Sequence, residues 1–250
     1  MSRSKWDILL DRWEAMHVGL DSNRPARLEL ILDVLSAGQS SRFRCLDLGA
    51  GPGSFAREIL ARFPKAVITC VDYDRTMLHV GIKALKPYGK RTRWVCADLR
   101  RPGWESSLGT EIFDSVVSSL TLHLLRTPEL RRLYRTLAHR VTSGGMLIIA
   151  DYLPWGGTQA RMDRLSDRVR ELRSKRGDRI SRQDFADQYK EWWTEAREPR
   201  TPSEPVTSRN TRSAGPVSIA THVRLLRHAG FRNPMVVWQD LNTRVLVANR

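Results

Sequence analysis

The chain has 250 residues and is 41% hydrophobic, enough to bury a sizeable core as one domain. No apolar run approaches the roughly 18 residues a membrane span needs, and Met1–Asp7 leads into no long apolar segment. This argues against a spanning protein or a secretory leader, and a cytoplasmic location is expected. The formal net charge is +15, with 11 basic and 10 acidic residues in 1–82 and 31 basic and 17 acidic in 83–250. That excess suggests an acidic substrate, a nucleic acid or a broadly basic surface.

The first elements read as helices. Trp6, Leu9, Leu10, Trp13 and Met16 recur at helical spacing between Ser4 and His17. Asn23 or Ser22 can cap a second helix with Pro25 in its first turn and Gly38 at its end. A short apolar strand then ends at Leu48. Glycines follow at 49, 51 and 53, and a helix-like run begins at Phe55. Three glycines let the backbone turn sharply and approach a ligand. The helix behind offers unpaired N–H groups and a positive dipole end. No Lys-Ser/Thr pair follows, so this is no Walker A loop, and the third glycine comes one residue too early for a dinucleotide fingerprint.

The second strand, Ala66–Val71, is closed by Asp72, 19 residues after Gly53. Its carboxylate can accept two ribose hydroxyls. The third strand, Thr92–Ala97, ends at Asp98, placed to accept from an adenine amino group. The fourth, Ile112–Ser118, leads into Ser119–Leu125 with His123. Thr127-Pro128-Glu129 opens a helix, and Ser143-Gly144-Gly145 turns into a fifth strand, Met146–Ala150, ending at Asp151-Tyr152.

From Trp155 to Pro216 the alternation breaks. Thr158–Arg176 is amphipathic, with Met162, Leu165, Val169 and Leu172 on one stripe. Ser181 and Asp184 form a capping-box pair ahead of Phe185, Tyr189, Trp192 and Trp193. Glu198–Pro216 reads as a long surface loop. A helix from Ser218 to Gly230 and strands Pro234–Trp238 and Arg244–Ala248 end the chain. Cys45, Cys70 and Cys96 fall in or beside strands without C-x-x-C spacing, so reduced thiols and no metal are expected.

Glycine loop, ribose acid and adenine acid on three successive strand ends resemble the class I S-adenosylmethionine (SAM) methyltransferases, from about Arg42 to the C-terminus. The resemblance implies an α/β fold, a Rossmann-like doubly wound seven-stranded sheet with its last strand antiparallel. Residues 1–40 would be an N-terminal helical lid, or plain packing on the sheet edge. Residues 155–217 would be a helical and loop insert within one domain, 1–250. SAM would be the cofactor, contacted by Asp47, Gly49, Gly51, Gly53, Asp72, Tyr73, Met77, Asp98, Leu99 and Ser118. His123 and His222 are the candidate bases. Trp13, Tyr152, Tyr189, Trp192 and Trp193 are the candidate acceptor contacts.

The expected activity is methyl transfer to an O or N atom of a small-molecule acceptor, by a monomer or homodimer. Two alternatives stay open. One is a tRNA-modifying enzyme, either a methyltransferase or a relative of carboxy-SAM synthase, which the Thr-His, Ala-Gly-Phe and Trp-Gln elements near the C-terminus resemble. The other is a SAM-binding protein without catalysis. Nucleic acid is a possible partner but not the favoured one.

Overall fold

The computed structural model describes residues 3–177, 179–197 and 216–250. Strand β1 is Arg44–Leu48, β2 Val67–Asp72, β3 Thr92–Cys96, β4 Phe113–Ser119, β5 Val141–Tyr152, β6 Arg232–Asp240 and β7 Thr243–Asn249. They form one seven-stranded sheet in the order β3-β2-β1-β4-β5-β7-β6. The five strands from β3 to β5 are mutually parallel, and β7 runs antiparallel to both β5 and β6. The order reverses between β1 and β4. That switch point leaves a crevice outside the carboxyl ends of the strands.

Helices cover both faces. They are α1 (Lys5–Leu20), α2 (Arg24–Gly38), α3 (Ser54–Arg62), α4 (Arg75–Ala84), α5 (Thr127–Ala138), α6 (Ala160–Lys175), α7 (Arg182–Ala196) and α8 (Ile219–Ala229). Side chains alternate across a strand. Leu46 and Leu48 therefore join Val116, Leu147 and Leu246 under α5 and α8. Cys45, Ile68 and Cys70 join Val117, Ile148 and Val245 under α2 and α3. Asp47 shares the second face and is buried with it.

A third cluster roofs one side of the crevice. Leu9 and Met16 of α1, Met77 and Val80 of α4, and Trp192 and Ala196 of α7 pack together. Helix α7 starts where its capping box predicts: the Ser181 hydroxyl accepts from Asp184 N–H, and the Asp184 carboxylate accepts from Ser181 N–H. Helix α7 of the insert and helix α1 thus pack as one unit.

Helix α6 departs from its expected packing. Met162, Leu165 and Leu172 are exposed. The helix is held instead through its polar side. Arg170 bonds Asn242 and Thr243 and lies over the Tyr152 ring, and Arg173 bonds Asp240 at 2.6 Å. The expected loop Glu198–Pro216 lies outside the described residues except for Pro216.

Candidate active site

The crevice is a cleft of about 1450 Å³. Its floor is the loop between β1 and α3. Gly49 and Gly53 hold φ of 69° and 83°, the left-handed region that favours glycine. A Cβ at Gly49 would run into the Thr121 side chain, whose hydroxyl donates to the Gly49 carbonyl at 3.2 Å. At Gly51 the nearest atom to a Cβ would be the Trp13 ring, 4.0 Å away, so this backbone faces the open cleft.

Asp72 fastens the loop to β2. Its Oδ2 accepts from Gly51 N–H at 2.8 Å and its Oδ1 from Asp74 N–H at 2.9 Å. Burial pushes its carboxyl up to about 6, against the pull of those N–H groups. Asp47 stands on the adjacent strand end. Burial, then the Asp72 charge, lifts it to about 7, and its Oδ2 has no hydrogen-bond partner. A buried, unpaired carboxylate oxygen in a cleft wall is costly unless a ligand donor reaches it. SAM carries donors and positive charge, so this residue set fits it.

The expected cofactor contacts divide. Asp47, Gly49, Gly51, Asp72, Tyr73, Met77, Asp98 and Leu99 line the cleft, as do the uncharted Ser54, Phe55, Ala97 and Trp104. Gly53 is instead closed off by the Trp94 ring. Ser118 does not line the cleft either. It is buried, and its hydroxyl donates to the Leu48 carbonyl at 2.9 Å, tying β4 to β1. The next residue, Ser119, takes the cleft position. Asp98 is engaged by Arg100, whose Nε and Nη2 donate to its two oxygens at 2.8 and 3.0 Å. The Arg100 guanidinium also lies over the Tyr73 ring. Burial alone would raise the Asp98 carboxyl, but Arg100 holds it below the usual carboxylate range.

The two candidate bases also separate. His222 is fully buried between α8 and α5, where its Nδ1 lies 2.6 Å from the Tyr134 hydroxyl. Burial drives its imidazole down to about 4. It is a core residue away from the cleft. His123 sits in a 3-10 turn at Leu122–Leu124, with Nδ1 2.7 Å from Asp151 Oδ1. Burial lowers its imidazole, but the Asp151 carboxylate and their hydrogen bond reverse this and raise it overall. Asp151, in turn, accepts N–H bonds from Thr121, His123 and Tyr152. His123 and Tyr152 pack edge-on and stand behind a wall formed by Leu120, Thr121, Leu124 and Leu125.

Of the aromatic candidates, Trp13, Tyr189 and Trp193 line the cleft. Tyr189 stands 5.9 Å from Trp13 and 6.0 Å from Trp193, ring centre to ring centre. Trp192 does not join them. It is fully buried, and its indole N–H donates to the Leu9 carbonyl at 2.7 Å.

Two more wall residues that bear on the chemistry escaped the sequence reading. His17 is four residues after Trp13 on α1, a spacing that shares a helix face and points to it once Trp13 is placed. Burial, then the Arg24 charge, pushes its imidazole down to about 4, so it is neutral at pH 7. Its Nδ1 lies 2.7 Å from the Trp13 carbonyl. A carbonyl only accepts, so Nδ1 carries the hydrogen and Nε2 keeps its lone pair. Arg24 is the second, and no local pattern marks it.

Comparison with known proteins agrees with this geometry. Residues 45–145 match the model of a methyltransferase domain family. Malonyl-[acyl-carrier protein] O-methyltransferase of Bacillus anthracis is 27% identical over 150 residues, 58% of this chain and 52% of that protein. The chain thus spans about half the length of the curated relatives it matches. A putative O-methyltransferase structure from Nostoc punctiforme superposes with a TM-score of 0.58 at 17% identity, covering 98% of this chain and 60% of that one. Magnesium protoporphyrin IX methyltransferase from Synechocystis, solved with bound SAM, gives 0.58 at 14% identity, with 96% and 90% covered. Residues 45–145 thus match a methyltransferase domain, and the fold around them is that of the class I SAM-dependent methyltransferases.

Proposed function

We propose that the chain transfers the methyl group of SAM to an oxygen, or less favourably a nitrogen, of a small or carrier-borne acceptor. The observation that carries this reading is the continuity of the cleft. The glycine floor with its acids and the aromatic wall of Trp13, Tyr189 and Trp193 belong to one cavity of about 1450 Å³. That exceeds the few hundred to ~1000 Å³ of a typical single-ligand site. The names of the relatives favour oxygen, and the carrier-linked substrate in one name extends the class to tethered acids.

SAM supplies an electrophilic methyl on a positively charged sulfur, so little covalent chemistry falls to the protein. The glycine loop and Asp72 would hold the nucleoside. The aromatic wall would orient the acceptor and exclude water, and orientation of this kind can lower a barrier by up to ~7–11 kcal/mol. A carboxylate acceptor arrives deprotonated and needs no base. A hydroxyl acceptor would lose its proton as the new O–C bond forms, and the Nε2 lone pair of His17 lies on the wall to receive it. The His123–Asp151 pair, one layer back, would fix the segment that carries Thr121 and Leu124.

The nucleic-acid alternative is weaker because several arginines are engaged by the protein's own carbonyls and carboxylates. Arg93, Arg140 and Arg250 donate to the carbonyls of Ser107, Gly109 and Ala138, and Arg126 and Arg173 pair with Glu129 and Asp240. The test is incubation with methyl-labelled SAM and three acceptor classes: acyl-carrier half-thioesters of dicarboxylic acids, small phenols, and bulk tRNA. We expect label in one of the first two. Label in tRNA alone transfers the assignment to the nucleic-acid reading, and no SAM binding by calorimetry removes the proposal altogether.

A further inference from the structure

Helix α6 carries an apolar band that the fold leaves in solvent. Met162, Leu165 and Leu172 are 41%, 52% and 46% exposed, and Val169 between them is half-buried. At 3.6 residues per turn these four fall within about 80° of arc. The helix cannot roll to hide them, because its polar side is bonded to the body. Asp163 accepts from the N–H groups of Trp155 and Gly156, Ser166 is buried, Arg170 reaches Asn242 and Thr243, and Arg173 pairs with Asp240.

Cations border the band. Arg161, Arg164, Arg168 and Lys175 are all exposed and share the adjoining sector, about 60° wide. Among the described residues, Arg161, Arg164 and Lys175 make no ion pair, and Arg168 meets Glu171 at 2.9 Å. The exposed acids Asp167 and Glu171 lie beyond the cations, away from the apolar residues. From Met162 to Leu172 the band runs about 15 Å. Its complement is a surface that is anionic outside and apolar beneath.

An anionic bilayer and an acidic protein both offer that chemistry, and this face favours the bilayer. Protein interfaces concentrate their energy on aromatic anchors seated in pockets. Helix α6 has no Trp, Tyr or Phe, and none of its residues lines the cleft. Mobile headgroups need no pocket, because phosphates rearrange around whatever cations they meet. Leu and Met can enter the boundary between headgroups and acyl chains while Arg and Lys stems hold their charges at the phosphate level. The net charge of +15 adds attraction at longer range. Among the described residues no helix is long and apolar enough to cross a membrane, so the contact lies in the plane of the surface.

We propose that α6 is a docking helix for an anionic lipid surface, with Leu165 and Leu172 dipping below the headgroups and Arg161, Arg164, Arg168 and Lys175 meeting their phosphates. This contact is independent of the methyl-transfer reading: it concerns where the chain sits, not what it methylates.

The test is co-sedimentation with sucrose-loaded vesicles, made of phosphatidylcholine alone or mixed equally with phosphatidylglycerol. Wild type should bind the mixed vesicles, come off them as salt rises, and ignore the neutral ones. Arg161→Gln with Arg164→Gln should weaken binding about 30-fold, or roughly fivefold per charge. Leu165→Ala with Leu172→Ala should weaken it about tenfold and leave the salt dependence alone. Arg131→Gln with Arg135→Gln removes the same charge from α5, whose exposed side has no apolar band, and should cost far less. All these side chains are exposed, so thermal melts should match the wild type. No binding of wild type to the mixed vesicles overturns the proposal. So does an equal loss from the α5 pair, which would make adsorption a matter of overall charge. An unchanged affinity in the double leucine variant takes the apolar band out of the contact and overturns it too. Acyl carrier protein is the acidic-protein probe: if it binds through these α6 residues and vesicles do not, the face belongs to a protein instead.

Discussion

Asp98 and Arg100, two positions apart at the end of β3, close on each other as a two-pronged ion pair, with Nε and Nη2 at 2.8 and 3.0 Å from the carboxylate oxygens. A third bond, from Arg100 N–H to Asp98 Oδ1 at 3.0 Å, completes a small ring. The acid that the resemblance reserves for an adenine amino group is therefore already satisfied, and a nucleoside must share it or displace the guanidinium. Arg100 is more than a third exposed, so the pair is worth only about 0.2–1 kcal/mol. We predict that Arg100→Ala strengthens adenosine binding by about two- to fivefold at low salt, measured by calorimetry. A weakened affinity would instead make Arg100 a stacking platform for the base.

Asp72 should govern cofactor affinity and its pH dependence. Removing its carboxylate in Asp72→Ala deletes bonds worth about 1.5–3 kcal/mol each and frees the Gly51 N–H. Its carboxyl is raised from 3.8 to about 6 by burial. For a raised acid, the ionised form is the penalised one, so the free protein loses this stability as pH climbs from about 4 to about 6. Ribose hydroxyls need the ionised form. S-adenosylhomocysteine affinity should therefore drop as pH falls through about 6, and Asp72→Asn should abolish that dependence. A pH-independent affinity in the wild type between 5 and 8 removes Asp72 from the ribose.

The His123–Asp151 pair predicts a stability window. His123 is raised in the folded state, so its contribution is present below the ordinary histidine value of 6.5 and is lost as pH rises through the folded value. Asp151 is lowered: burial opposes its charge, but His123 and three N–H bonds prevail. Its contribution is present above 3.8 and is lost as pH falls through its folded value. Both are in force between about 4 and 6.5. Denaturant unfolding of wild type and His123→Gln should differ most there, by about 1.5–3 kcal/mol, and converge at higher pH. A constant difference from pH 5 to 9 would mean that the charge on His123 does not matter.

The strands and the glycine loop were legible because each is a contiguous apolar run stopped by glycine or aspartate. β1 ends at the expected residue, and β2 and β3 begin and end within a residue of the expected limits. β5 begins five residues earlier than expected, at Val141, because Ser143-Gly144-Gly145 bends within the strand rather than preceding it. His222 was misread although its signal was present. With Leu225 and Leu226 it occupies the i, i+3, i+4 face that α8 buries. Arg24 and the Asp98–Arg100 pair had no such signal. A polar side chain on a helix or turn reveals its partner only after the turn geometry and the neighbouring helix are known. The α6 stripe was misjudged for the converse reason: apolar periodicity suggests burial, but the guanidinium contacts of Arg170 and Arg173 decide how the helix sits.

The α7 aromatics separate fold from acceptor choice within two adjacent residues. Trp192 faces inward, fully buried between Leu9, Met16, Met77 and Val80, with its indole N–H spent on the Leu9 carbonyl. Deleting that ring leaves a large cavity, so Trp192→Ala should cost about 3–5 kcal/mol in chemical denaturation and lower activity through unfolding. Tyr189 and Trp193 lie on the cleft side one turn apart, both partly exposed, and neither holds a described backbone bond across elements. Ala at both positions should lower stability far less. Neither ring makes a described hydrogen bond to the glycine loop or to Asp72, so S-adenosylhomocysteine affinity should stay within about twofold. What should change is the acceptor KM, or turnover altogether, because an acceptor ring or chain would lose its apolar sides. The measurement is a paired one, calorimetry for the cofactor and initial rates for the acceptor found by the labelling experiment. If cofactor affinity falls as far as kcat/KM, the two rings close over the cofactor itself, and the acceptor must be chosen by Trp13 and His17 on α1.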